Sequence, residues 1–160
     1  MPDTGTEIKI EGLNELIKKL DDLKQLSKVH AGFKAGALYL KGKLAQYPPP
    51  TIANQPGNPS GRWYVRGFGW KFASGRTDPV SEDLAGKWTI KYDQNKFEAM
   101  VGNNASYAVF VQGPKEGPKG SRQAKHMARI GWKSITTVAE QETKRVEEYV
   151  FEAVKRAIGV

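Results

Sequence analysis

Between Tyr47 and Ala85 this chain can carry neither a long helix nor a central strand, and that interval divides everything else. Tyr47-Pro48-Pro49-Pro50 stops the helix before it, because proline has no N–H to donate and disfavours the helical region for its predecessor. The following residues are rich in Pro, Gly, Asn and Ser. Connections longer than about 12–15 residues are uncommon inside a compact domain unless they perform a task or are disordered. The middle of this one, Gly61 to Ala73, holds Trp63, Tyr64, Phe68, Trp70 and Phe72 among Arg62, Arg66 and Lys71. That is too aromatic for a solvated tether. The expectation is an extended loop arm, about residues 47–86, whose tip or flank docks on another subunit.

The flanks read as regular structure. Glu7-Ile8-Lys9-Ile10-Glu11 alternates and suggests a short edge strand, and Leu13, Leu16, Ile17, Leu20 and Leu23 form one helical stripe. A break near Ser27, a good N-cap residue, leads into a second helix striped by Val29, Phe33, Ala37, Leu40 and Leu44. Gly32, Gly36 and Gly42 interrupt that helix, each costing about 0.8–1 kcal/mol relative to Ala, so a close approach by a neighbouring element is expected.

Beyond the arm, Lys87 to Asp93 alternates strictly, with Trp88, Ile90 and Tyr92 on one face. Gln94-Asn95-Lys96 turns the chain, and Phe97, Ala99 and Val101 alternate on the return strand. Gly102-Asn103-Asn104 then reverses the backbone, Gly and Asn being the residues that accept positive φ cheaply. An aromatic and aliphatic run, Tyr107 to Val111, follows and calls for burial or docking. Gly113 to Gly120 is a second loop.

From about Gln123 a helical stripe runs through Met127, Ile130, Ile135, Val138, Val146, Tyr149, Val150, Ala153, Val154 and Ala157, interrupted at Glu142. It either breaks near Trp132 or projects from the body. Glu140–Lys144 and Glu152–Arg156 are spaced for i,i+4 pairs. The expected architecture is α+β: a small antiparallel sheet with an N-terminal helix pair and a long C-terminal helix, plus the arm, in a single domain over residues 1–160.

Charge is uneven. The net +8 falls mainly in two loop-like stretches: Arg62, Arg66, Lys71 and Arg76 stand without an acid, and Lys115, Lys119, Arg122, Lys125 and Arg129 stand with Glu116 alone. The segment from Trp132 onward balances five basic residues against five acidic ones. Such stretches suit phosphate or an acidic partner surface. Catalytic signals are absent by comparison. There is no cysteine, the two histidines His30 and His126 lack a carboxylate motif, and Phe72 replaces the third glycine of a dinucleotide fingerprint. The expectation is therefore a non-enzyme with no cofactor and no metal. The absence of cysteine makes a reducing cytoplasm the expected origin, while no apolar run reaches membrane length and no secretory leader is visible at Met1 to Gly5.

The segment Val101 to Gln112, "VGNNxxYAxxVQ", resembles part of a tailed-bacteriophage or prophage morphogenesis family of minor tail, tail-completion and head–tail joining proteins. The order of other features is similar too. A "GLxEL"-like helix opens at Gly12, "YPP" follows at Tyr47-Pro48-Pro49, and an arginine- and glycine-bearing motif is split between Tyr64–Phe68 and Asp83–Trp88. Trp132 then leads into the C-terminal helix, while Phe68 to Glu82 reads as an insertion.

This resemblance implies a virion structural protein at the neck or tail, assembled in the host cytoplasm as a homo-oligomeric ring. Its partners would be neighbouring neck, connector or tail proteins and packaged DNA, with no membrane. Trp63, Tyr64, Arg66, Phe68 and Trp70, with Tyr107 and Phe110, are the candidate interface residues. Lys115, Lys119, Arg122, Lys125 and Arg129 are candidates for contact with DNA or an acidic neighbour. The alternative is a basic nucleic-acid-binding module gripping phosphates through residues 113–131.

Overall fold

The computed structural model describes residues 23–49, 51–52, 55–57, 59, 61–65, 69–76 and 84–159. Helices α1 (Leu23–Leu44), α2 (Ala108–Gln112), α3 (Lys125–Arg129) and α4 (Ile135–Ile158) accompany two two-stranded sheets. One sheet pairs β1 (Arg62–Val65) with β2 (Gly69–Phe72), and the other pairs β3 (Trp88–Asp93) with β4 (Glu98–Asn103). The class is α+β, with a long C-terminal helix. The strand and helix expected before Leu23 lie outside the described residues.

Two compact units divide the chain: Met1–Leu44, Thr89–Gly102 and Val138–Val160 form one, and Ala45–Trp88 with Asn103–Thr137 form the other. In the first unit α1 runs unbroken through Ser27, contrary to the expected break. Leu23, Lys24, Gln25 and Leu26 are all good helix formers, so an N-cap residue placed after them does not start a new helix. The α1 stripe is as read: Val29, Ala37, Leu40 and Leu44 are buried. Val29 joins Val150, Val154 and Ala157 of α4 in a core against which Leu26, Phe33 and Phe97 pack.

The α1 glycines divide by role. A Cβ on Gly32 would collide with the Ala153 Cβ and lie 2.9 Å from the Tyr149 carbonyl oxygen. One on Gly36 would lie 3.2 Å from Val146 Cγ1. The expected close approach is thus α4 against α1 at these two positions. Gly42 faces open space, so the packing reason does not extend to it.

The β3–β4 hairpin follows the period-2 reading, with Trp88 and Val101 buried. Asp93 Oδ1 accepts the Asn95 N–H (2.9 Å) within the turn, and Phe97 closes it at φ 53°. A left-handed Phe is unusual, and packing of its ring on the first unit's core holds it there. On α4, Glu152 pairs with Lys155 at i+3 rather than with Arg156.

The second unit closes around Leu84, Ala105, Val111, Ile130 and Trp132, with Tyr47, Tyr107, Ala108 and Met127 packed on them. The Tyr47 and Trp132 rings lie 5.1 Å apart. The helical pattern from Gln123 breaks rather than projects: α3 ends at Arg129, Gly131 reverses the chain at φ 99°, and Ser134 caps α4. Ser134 Oγ accepts the Thr137 N–H (3.1 Å), satisfying one of the donors that a helix start leaves open.

The interval 47–86 is not wholly loop. β1 and β2 pair antiparallel in the register Arg62↔Phe72, Trp63↔Lys71, Tyr64↔Trp70, Val65↔Gly69. The Ala73 N–H extends the ladder to the Gly61 carbonyl (2.8 Å), and the Arg76 guanidinium lies over the Phe72 ring at 4.3 Å. These strands escaped the sequence reading because each is only four residues long, and in β1 the aromatics Trp63 and Tyr64 stand at successive rather than alternate positions.

Candidate interaction surface

The Val101–Gln112 segment is a hydrogen-bonded corner of the second unit, reached by a different mechanism from the one expected. None of Gly102, Asn103 and Asn104 adopts positive φ. The Asn103 side chain makes the corner instead. Its Oδ1 accepts the Ala105 N–H (2.9 Å) and its Nδ2 donates to the Leu84 carbonyl (2.8 Å). The Asn104 N–H donates to the Lys87 carbonyl (3.1 Å). One amide thus folds its own turn and ties it to the Leu84 segment.

The run after the corner is the short helix α2. Val111 and Gln112 are buried and Tyr107 packs on the unit's own core, whereas Phe110 remains half exposed. Of the two interface candidates here, Phe110 stands at the surface and Tyr107 contributes chiefly to folding.

The basic stretch starts where α2 ends. The Gln123 N–H donates to the Pro114 carbonyl (2.9 Å) and the Ala124 N–H to the Phe110 carbonyl (2.9 Å), closing a loop over residues 114–123. Gln123 Nε2 then donates to both the Val111 and the Trp132 carbonyls, each at 2.8 Å. The Lys115 N–H reaches Thr136 Oγ1 (3.4 Å), and Ser121 turns back on the Pro118 carbonyl through its N–H and its hydroxyl. The loop is held at its neck by backbone bonds while Lys115, Lys119 and Arg122 are exposed, as are Lys125 and Arg129 on α3. Gln123, the staple of this arrangement, had no signal in the sequence beyond its place after a turn.

Of the arm candidates, Trp63 and Tyr64 fall on β1 and Trp70 on β2, with Tyr64 opposite Trp70 in the register. Arg66 and Phe68 lie outside the described residues.

Two polar clusters occupy the first unit. His30 Nδ1 is hydrogen-bonded to the Tyr92 hydroxyl, and its ring stacks on Phe97 at 4.3 Å. Partial burial, and then the charge of Lys34, hold the imidazole below its ordinary pKa of 6.5. Burial pushes the Tyr92 phenol upward. In the second cluster, Glu142 interrupts the α4 stripe because it serves α1: Tyr39 donates to its Oε2 (2.6 Å) and Lys43 lies 3.5 Å from its Oε1. The bond to Glu142 raises the Tyr39 pKa, and the bond to Tyr39 raises that of Lys43. The lone charge within an apolar stripe was the signal for this lock.

Among the described residues, no three or more of His, Cys, Asp and Glu gather as ligands for a metal ion, and no helix is long and apolar enough to cross a membrane. Comparison with protein-family models, with curated proteins and with solved structures finds no match to the chain.

Proposed function

We propose that the chain is a structural subunit of a tailed-phage virion, building a homo-oligomeric ring at the neck or tail through protein–protein contacts and without catalysis. The observation that carries this reading is the β1–β2 ribbon. Its sheet contains two strands among the described residues, and on the outer side of β2 the Phe72 N–H donates to the Arg76 carbonyl (3.0 Å). A two-stranded ribbon by itself is at best marginally stable in water, so packing against a further surface is what would hold it. The sequence from Arg62 to Phe72 bears Trp63, Tyr64, Arg66, Phe68 and Trp70, and Trp, Tyr and Arg dominate interface centres. The family-like segment supports the same reading, since Asn103 and α2 are used for architecture and leave Phe110 at the surface.

Native mass spectrometry of the full chain over a concentration series tests it. A discrete multimer is expected, and the double variant Trp63→Ser/Trp70→Ser should shift the distribution toward the single chain while preserving its far-UV circular dichroism. A single chain at every concentration overturns the proposal.

A further inference from the structure

We infer that residues 113–129 bind the phosphate backbone of duplex DNA without reading its bases. The inference goes beyond ring assembly and does not depend on it, because an isolated chain presents the same segment.

Three observations carry it. The first is charge that is both concentrated and available. Lys115, Lys119, Arg122, Lys125 and Arg129 are all exposed, and Glu116 is the only acid between Gly113 and Arg129. The second is preorganisation. The Gln123–Pro114 backbone bond closes the loop, the Gln123 side chain staples its neck to two carbonyls, and Ser121 folds back on Pro118. A loop fixed by its own hydrogen bonds loses less entropy when it settles on a rigid duplex.

The third is what the segment lacks. From Gly113 to Arg129 it contains no Trp, Tyr or Phe. Single-strand binders stack bases on successive aromatic side chains, and protein interfaces centre on aromatic anchors while excluding Lys. A Lys- and Arg-bearing loop without aromatics suits a polyanion whose binding is driven by release of counterions. The arm has the opposite composition, so the two surfaces of the chain suit different partners.

Fluorescence anisotropy with a labelled duplex of about 30 base pairs tests the inference on the full chain. Binding should weaken steeply between about 50 and 200 mM salt, with a log–log slope near −4 to −5 for five phosphate contacts at about 0.9 each. The triple reversal Lys115→Glu/Lys119→Glu/Arg122→Glu should lose at least about tenfold in affinity. A control of equal charge change, Lys91→Glu/Lys96→Glu/Lys144→Glu, places its substitutions at exposed sites of the first unit and should lose much less.

If the reversal impairs folding, the neutral set Lys115→Gln/Lys119→Gln/Arg122→Gln should flatten the salt slope by about 3. Equal losses in the reversal and control variants would show a response to net charge alone and overturn the inference. So would binding of polyglutamate without binding of duplex, which would assign the segment to an acidic protein. Tighter binding of a single strand than of the duplex would also overturn it. Loss of DNA binding in the loop variants should leave the mass distribution of the assembled chain unchanged, which separates this test from that of the ring.

Discussion

Gly32→Ala adds one methyl group where α1 and α4 touch, and its cost follows from what that methyl would meet. The new carbon would collide with Ala153 Cβ and sit 2.9 Å from the Tyr149 carbonyl oxygen. Neither obstacle can rotate away, since one is backbone and the other is the first carbon of a side chain, so the helices must separate. Overpacking of this kind costs about 1–3 kcal/mol, and the rigid obstacles favour the upper part of that range. The gain in helix propensity returns about 0.8–1 kcal/mol, leaving a net loss of about 1–2 kcal/mol. For a chain of this size the melting temperature should fall by roughly 2–8 °C.

Gly42→Ala meets nothing within 4 Å and should stabilise by up to about 1 kcal/mol. Gly36→Ala is tight only against a Val146 methyl at 3.2 Å, with the Val146 carbonyl oxygen (3.5 Å) and Tyr149 Cβ (3.9 Å) at ordinary contact distance, and should be close to neutral. Urea denaturation followed by circular dichroism reads all three, with midpoints shifting at constant slope. A Gly32→Ala variant as stable as the parent, or a Gly42→Ala variant as damaged as Gly32→Ala, would refute the close helix contact.

Two further outcomes follow from the polar contacts. Asn103→Ala removes the acceptor of the Ala105 N–H and the shorter of two bonds to the Leu84 carbonyl, which keeps the Lys87 N–H (3.3 Å), so it should destabilise by about 1–2 kcal/mol in the same assay, whereas Asn104→Ala keeps its backbone bond to Lys87 and should be nearly silent. His30 has a folded pKa below its ordinary 6.5, so the unfolded chain binds more protons in the interval between the two values; its contribution is complete above about pH 6.5 and is lost as pH falls through the folded value. The urea midpoint should therefore drop on acidification through that interval, and His30→Gln should flatten the drop; an unchanged profile in the variant would remove His30 as its source.

Elements with a clear hydrophobic period were legible in the sequence. The α1 stripe, the β3–β4 alternation and the stop at Tyr47 each follow from side chains that determine burial or from prolines that determine the backbone. Features set by tertiary contact were not. Ser27 lies inside a helix because its neighbours favour helix, and β1 and β2 are strands because they pair with each other. The corner at Asn103 rests on a distant carbonyl at Leu84, which no local reading of Gly-Asn-Asn supplies. At the candidate surface the basic residues could be named from composition, but Gln123, which fixes their loop, could not. Glu142 was visible as a fault in a stripe, and its purpose emerged only once Tyr39 and Lys43 faced it.

The central claim is that the aromatic ribbon is completed by another copy of the chain. Hydrogen–deuterium exchange across residues 61–76, compared between the concentrated assembly and a dilute single chain, tests it most directly. Slower exchange of these amides on assembly is the predicted result. Unchanged exchange in the ribbon, with protection gained elsewhere or with no assembly formed, would contradict the account.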